Sequence, residues 1–399
     1  MRHPAPSQAL SLLLLANAAV LGALPLLNEA PNRLLSGKGM LLLDALARAG
    51  QGWWAVAGAW CTAGVLLLLA RRWPATQRPS SYGLLVWLAG WVWGLCALCG
   101  TLAAAHQVRT EGLGRASLSS GLWLSVMLVW LSANELLRDL HARKPLTLGV
   151  WLGLVAGVLA LLASGHLDAL STLKEYANRQ EDFWRALWQH LYIIGWTVGL
   201  TLTAGLPMGV WLHRQPPWAA RIFPVLSLVQ TIPSIALFGL LMAALAWLGA
   251  VFPLLPAWGI QGIGLAPAVL ALSLYSLLPL VRSTFEGLAS VPAAAVESAH
   301  AMGMSGRQRL WQVELPLAAP VILSGLKVML IQTIGLTAVA ALIGAGGLGA
   351  LMFEGLFSSA LDLVLLAIAP IVVLAWCAEA LFTALAAYSL PAHTSHDSI

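Results

Sequence analysis

The sequence predicts an all-α integral membrane protein of about ten transmembrane helices, and three observations support that prediction. The 399 residues are 59% hydrophobic and only 9% charged, with a mean hydropathy of +0.83, a balance too apolar for a soluble chain of this length. Apolar runs of about 20 residues, the length needed to cross hydrocarbon, recur from one end to the other. One polar insert, residues 297–316, interrupts them in the second half. The formal charge of +5 is scattered over loop ends, with no basic run longer than Arg71-Arg72 or Arg143-Lys144. It therefore matches anionic lipid headgroups and gives no reason to expect nucleic acid.

In chain order the expected spans are 9–27, 53–70, 82–104, 118–137, 146–164, 191–212, 222–246, 264–282, 319–342 and 362–388. The first has only Arg2 and His3 before it and no small-residue cleavage site after it, so it reads as a retained anchor. With both termini cytoplasmic, Arg71, Arg72, Arg78, Arg138, Arg143, Lys144, Arg214, Arg221, Arg282, Arg307 and Arg309 fall inside, and fewer basic residues fall outside. That orientation also puts the polar insert in the cytoplasm. Prolines divide the chain: Pro207, Pro233, Pro267, Pro279 and Pro370 sit within spans of the second half, while those of the first half lie at span ends or in loops. Broken or kinked helices are tolerated where they face protein or a water-lined cavity, so the second half is the expected moving part and the first the scaffold.

The insert reads E-S-A-H-A-M-G-M-S-G-R-Q-R-L-W-Q-V-E-L-P from Glu297 to Pro316. Ser290 is placed to cap a first helix beginning near Pro292, and Gly303 to end it in the left-handed conformation. Ser305 with Gln308 forms a capping-box pattern for a second helix, and Pro316 is expected to stop that helix at the next apolar run. The expected product is a helix-turn-helix outside the bilayer. Glu297-Ser298-Ala299, Gly303 and Val313-Glu314-Leu315-Pro316 keep every fixed spacing of the EAA motif of bacterial ABC importer permeases, which this insert resembles; Ser298 stands where alanine is usual. The resemblance implies a coupling loop, with Glu297, Ser298, Ala299, Gly303, Leu315 and Pro316 meeting the nucleotide-hydrolysing subunit.

Four further segments narrow the resemblance. Gln230-Thr231-Ile232-Pro233-Ser234, Leu274 to Pro279, Ala301 to Ser305 and Ile343 to Gly349 are similar to the osmoprotectant permeases, and the long N-terminal half with Lys174 to Gln180 looks most like the Yeh-type glycine betaine permeases. This implies an accessory membrane region of about five helices over 1–180 and a five-helix MetI-like permease core over 181–390. The coupling loop would occupy 285–318 and a tail 391–399. It also implies import of glycine betaine, choline, carnitine or another small solute such as methionine. Expected partners are two ABC ATPase subunits, a second permease copy or paralogue, an extracytoplasmic solute-binding protein and membrane lipid. ATP and Mg belong to the partner ATPase; no cofactor is expected on this chain. The location implied is the bacterial inner membrane.

The uncharged polar residues Gln230, Thr231, Pro233, Ser234, Gln332, Thr333 and Thr337 are candidates for lining a pathway, being cheaper to bury than charges and able to hydrogen-bond. Gly344, Gly346, Gly347 and Gly349 suggest a flexible outer gating turn; without a following Lys-Ser/Thr they cannot form a phosphate cradle. Lys327 and Glu379, ionisable within spans, are expected to snorkel toward the inner headgroups. The four cysteines lie in apolar spans away from histidine, and the nine histidines are scattered, so no metal and no catalytic residues are expected. The 19 tryptophans concentrate near span ends, as interfacial belts do. An ion-coupled transporter with inverted repeats is disfavoured, because the first half holds no second copy of the loop.

Overall fold

The computed structural model describes residues 8–32, 37–50, 60–65, 68, 79–139, 144–257 and 259–389, which form two compact units dividing after Asn178. The expected span 53–70 lies largely outside the described residues, as does the tail 391–399.

In the first unit the helices α1 (Gln8–Ala23), α2 (Leu42–Arg48), α3 (Pro79–Arg109), α4 (Ser120–Asp139), α5 (Lys144–Ala163) and α6 (Ser171–Asn178) accompany three short strands, β1 (Leu27–Ala30), β2 (Lys38–Met40) and β3 (Arg115–Leu118). The sheet was not expected. Its order is β2-β1-β3, both pairings antiparallel, with Leu27 opposite Met40 on one side and Leu118 on the other. It shortens the first span, since α1 stops at Ala23 and the chain turns into β1 at Leu27. Leu26, Leu27, Met40 and Ala116 bury the sheet against Leu95, Cys99 and Leu102 of α3. Along the helices, Asn17 of α1 accepts from Ser125 of α4 at 2.8 Å in the interior. On strand β1 the Glu29 carboxylate lies 2.7 Å from Arg48, 3.6 Å from Arg109 and 3.7 Å from His106. Arg115 pairs with the buried Glu175.

The second unit runs α7 (Gln180–Arg214), α8 (Pro216–Thr231), α9 (Ser234–Val251), α10 (Leu254–Ala257), α11 (Leu265–Ala289), α12 (Ala293–Ala301), α13 (Gly306–Arg309), a π-turn (Leu310–Glu314), α14 (Leu315–Val339), a 3₁₀ turn (Ala340–Ile343), α15 (Leu348–Phe357) and α16 (Leu361–Ser389). Among the described residues seven helical segments are long and apolar enough to cross a membrane, and five of them lie here: Gln180–Arg214, Ser234–Val251, Leu265–Ala289, Gly306–Ile343 and Leu361–Leu385. Helix α11 is the hub, packed against α7, α8, α9 and α14. Small residues let the backbones approach: at Gly325 of α14 an added Cβ would overlap Ser283 of α11.

Several expectations need correction. The span 222–246 is two helices, because α8 ends at Thr231 and Pro233 sits extended, φ −55° and ψ 136°, before α9. Proline removes a backbone donor and disfavours helix for the residue before it, so Ile232 leaves the helical region. Pro207, Pro279 and Pro370 instead remain inside continuous helices. Lys327 and Glu379 are also paired with each other, which was not expected: Lys327 Nζ donates to Glu379 Oε1 at 2.9 Å, joining α14 to α16. Opposite charges fifty-two positions apart thus satisfy each other at the bundle surface.

Candidate coupling site

At one end of the second unit, α12 and the segment beginning with α13 form the exposed helical pair expected from the insert, but they are bounded differently. Helix α11 runs on to Ala289, so Ser290 closes its C-terminus and donates to Gly287 O at 2.7 Å; it does not cap α12. Pro292 occupies the N-terminal boundary of α12. After α12 the chain reverses at Gly303, whose φ of +77° is the left-handed conformation a side chain would strain. Met304 N donates to Ala299 O at 3.2 Å across that reversal. Ser305 then caps α13 reciprocally: its hydroxyl accepts from Gln308 N at 3.4 Å, and Gln308 Oε1 accepts from Ser305 N at 2.9 Å.

Pro316 does not stop the second helix. It stands at the first turn of α14, into which α13 and the π-turn lead without interruption. Of the candidate residues, Glu297 and Ser298 are exposed on α12, Ala299 is 1% exposed beneath them, Gly303 and Pro316 are exposed, and Leu315 is half-buried. Ser298 donates to Ala294 O at 2.7 Å, so the residue that departs from the motif spends its hydroxyl within its own helix. Trp311, 64% exposed, stands on the second arm beside Arg307, Gln308 and Gln312. A large aromatic and a carboxylate left open on a capped, preorganised pair of helices form a surface suited to a protein partner. Sequence reasoning passed over Trp311, although a tryptophan in a polar loop is the available signal.

At the other end of α14, a distance of about 38 Å for 25 helical residues, the 3₁₀ turn leads into the glycine-rich segment. Gly344, Gly346 and Gly347 all have positive φ, between 76° and 80°. Gly349 has no Cβ to spare, because one would overlap the Ala338 carbonyl oxygen. Gln189 of α7 donates to Ala345 O at 2.8 Å, and Gly264 N to Ile343 O at 3.1 Å. Ala345, Gly347, Leu348 and Gly349 are buried, so this turn is packed down and not loose.

The polar candidates between the two ends separate into two groups. Thr333 and Thr337 are fully buried; Thr333 meets Ser276 of α11 at 2.9 Å and both threonines also donate to their own helix. Gln230 donates to Tyr275 O at 2.8 Å while Tyr275 returns its hydroxyl to Ile232 O, a reciprocal clasp around the proline break. These residues hold helices together. Thr231 and Pro233 are exposed, and Ser234 and Gln332 half-buried.

Five apolar helical segments long enough to cross a membrane, with an exposed polar helical pair at one end, define a multi-span membrane protein. Comparison with known proteins agrees. The binding-protein-dependent transport system inner membrane component matches residues 201–389, and the N-terminal domain of ABC transporter permease YehY matches residues 6–173. The osmoprotectant import permease OsmW of Salmonella typhimurium is 42% identical over 171 residues, 43% of this chain and 74% of that protein. The glycine betaine/carnitine/choline transport system permease OpuCD of Bacillus subtilis is 31% identical over 225 residues, 54% of this chain and 91% of its own. Salmonella OsmY is 37% identical over 215 residues, 53% of this chain and 83% of its own. Among solved structures, a chain of the inward-facing MetNI methionine ABC transporter is similar with a TM-score of 0.47 and 20% identity, covering 54% of this chain and 99% of that one. The chain belongs to the osmoprotectant permeases within the binding-protein-dependent ABC importers. It is therefore a multi-pass inner-membrane permease subunit, of a family that works with ATPase and solute-binding partners.

Proposed function

We propose that this chain forms the translocation pathway of an ATP-driven importer for glycine betaine or a related quaternary-ammonium osmoprotectant, choline and carnitine included. The observation that supports it most directly is the exposed pair α12 and α13, preorganised by the Gly303 reversal and the Ser305–Gln308 capping box, on the end of an otherwise apolar bundle. Relatives named for glycine betaine, carnitine and choline transport support the solute class. In this reading both termini are cytoplasmic and the loop meets one of two ATPase subunits. A second permease copy or a paralogue receives the other, and a liganded binding protein docks outside. ATP and Mg stay on the ATPase, so Glu297, Ser298, Ala299, Gly303, Leu315 and Pro316 link motions and break no bonds.

Closure of the ATPase pair pushes the loop, and α14, continuous with it, relays the displacement toward Gly344, Gly346, Gly347 and Gly349 at the outer end. Thr231, Ser234 and Gln332 line the pathway. Gln230, Pro233, Thr333 and Thr337 set the positions of the helices around it. The reading is tested by uptake of radiolabelled glycine betaine into proteoliposomes holding the complete importer, with choline and carnitine as competitors. Uptake that needs both ATP and the binding protein is expected. Uptake that persists without ATP and follows an ion gradient would overturn it.

A further inference from the structure

Between the exposed arm and α14 lies the π-turn Leu310–Glu314, the one such turn among the described residues. A π-turn is an uncommon, poorly favoured insertion in a helix and needs local support. Three features supply it here. Leu315 N donates back to Leu310 O, closing the wide turn. Leu310 at the start of the turn and Leu315 just after it pack against the buried cluster of Leu288, Ala318 and Ile322, as Leu206 and Val210 of α7 also do, anchoring the turn in the bundle. Arg309 Nε donates to Glu314 Oε1 at 2.7 Å, with the arginine side chain 29% and the glutamate 9% exposed.

That ion pair joins positions five apart. On a regular α-helix such positions point about 140° away from each other around the axis, so their side chains do not meet. The extra residue in the π-turn brings them to one side, and the pair in turn holds the extra residue in place. Pro316 stands two residues beyond Glu314, after Leu315. Its ring would crowd the carbonyl of the residue four before it, Gln312, and leave that carbonyl without a donor; Gln312 lies within the widened turn, where the crowding is relieved.

We infer that Arg309 and Glu314 are positioning residues for energy coupling: they lock the π-turn as a stiff joint, so that a push on α12 and α13 rotates or translates α14 as one body instead of bending the helix at Pro316. The inference rests on the coupling-loop reading above and adds the place where transmission succeeds or fails. From the joint, the motion reaches α11 through Thr333–Ser276 and α16 through Lys327–Glu379.

The test measures glycine betaine uptake per ATP hydrolysed in proteoliposomes of the complete importer for Arg309→Gln, Glu314→Gln, the exchange Arg309→Glu with Glu314→Arg, and Glu297→Ala. A role confined to folding would lower both activities together. A joint predicts that the single variants still hydrolyse ATP while uptake per ATP falls about tenfold, the scale of a lost charge-assisted hydrogen bond, and that the exchange restores most of the ratio. Wild-type ratios in Arg309→Gln and Glu314→Gln overturn the joint, whatever Glu297→Ala does. A wild-type ratio in Glu297→Ala with lowered ratios in the other two overturns the Glu297 contact and keeps the joint. Should the single variants fail to assemble, the exchange decides: assembled and coupled supports the joint, assembled and uncoupled overturns it.

Discussion

The two ends of α14 are built from different materials. At the loop end, shape is fixed mainly by side chains around one glycine reversal at Gly303: the Ser305–Gln308 capping box and the Arg309–Glu314 pair, with Glu297 and Trp311 left exposed. At the other end, shape is fixed by missing side chains: Gly344, Gly346 and Gly347 take left-handed backbone and Gly349 packs against the Ala338 carbonyl, with Gln189 as the side-chain hook. Side-chain contacts can be exposed and still hold, so the loop end remains open for a partner. The glycine turn at the far end is packed under its neighbours, with Ala345, Gly347, Leu348 and Gly349 buried, whereas the Gly303 turn at the loop end faces solvent. In the coupling reading proposed above, one end is pushed and the other stays sealed until it is.

Substitutions can break this contrast in a graded way. Gly349→Leu is predicted to be the most damaging, because its side chain meets backbone that cannot yield; a loss of about 3 kcal/mol is expected, read as poor recovery of folded protein in detergent. Gly303→Val should cost about 2 kcal/mol of left-handed strain, yet it faces solvent, so the bundle persists in circular dichroism while uptake falls. Gln189→Leu removes the donor to Ala345 O and should cost about 1 kcal/mol, seen as a lower thermal midpoint with the loop end untouched. Ser305→Ala loses the capping box for about 0.5–1 kcal/mol, and hydrogen exchange should quicken in residues 305–309 alone. Faster hydrogen exchange at residues 305–309 in Gln189→Leu, or at residues 344–349 in Ser305→Ala, would erase the distinction.

What could be read from the sequence was mostly local. The reversal at Gly303 and the cap at Ser305 each depend on residues within a few positions, and the structure holds both. Ser290 and Pro316 misled for one reason: apolar helices outran the edges of their spans, so α11 reached Ser290 and α14 began before Pro316 could end anything. The π-turn was hidden because a pair five residues apart fits no helical template, and Glu314 stood out only as part of a motif. The Lys327–Glu379 pair and the clasp of Gln230 with Tyr275 join distant positions, which no local pattern displays. The sheet escaped because β1 and β3 are only four residues each and lie against span ends, too short to show alternation.

The central claim is that the α12 and α13 face meets the ATPase. Its most direct test is Glu297→Cys on a background with the four native cysteines replaced by alanine, treated in the assembled importer with a short bifunctional cross-linker. The account predicts a covalent adduct to the ATPase subunit and protection from membrane-impermeant thiol reagents added outside. Labelling from outside without any ATPase adduct would contradict it.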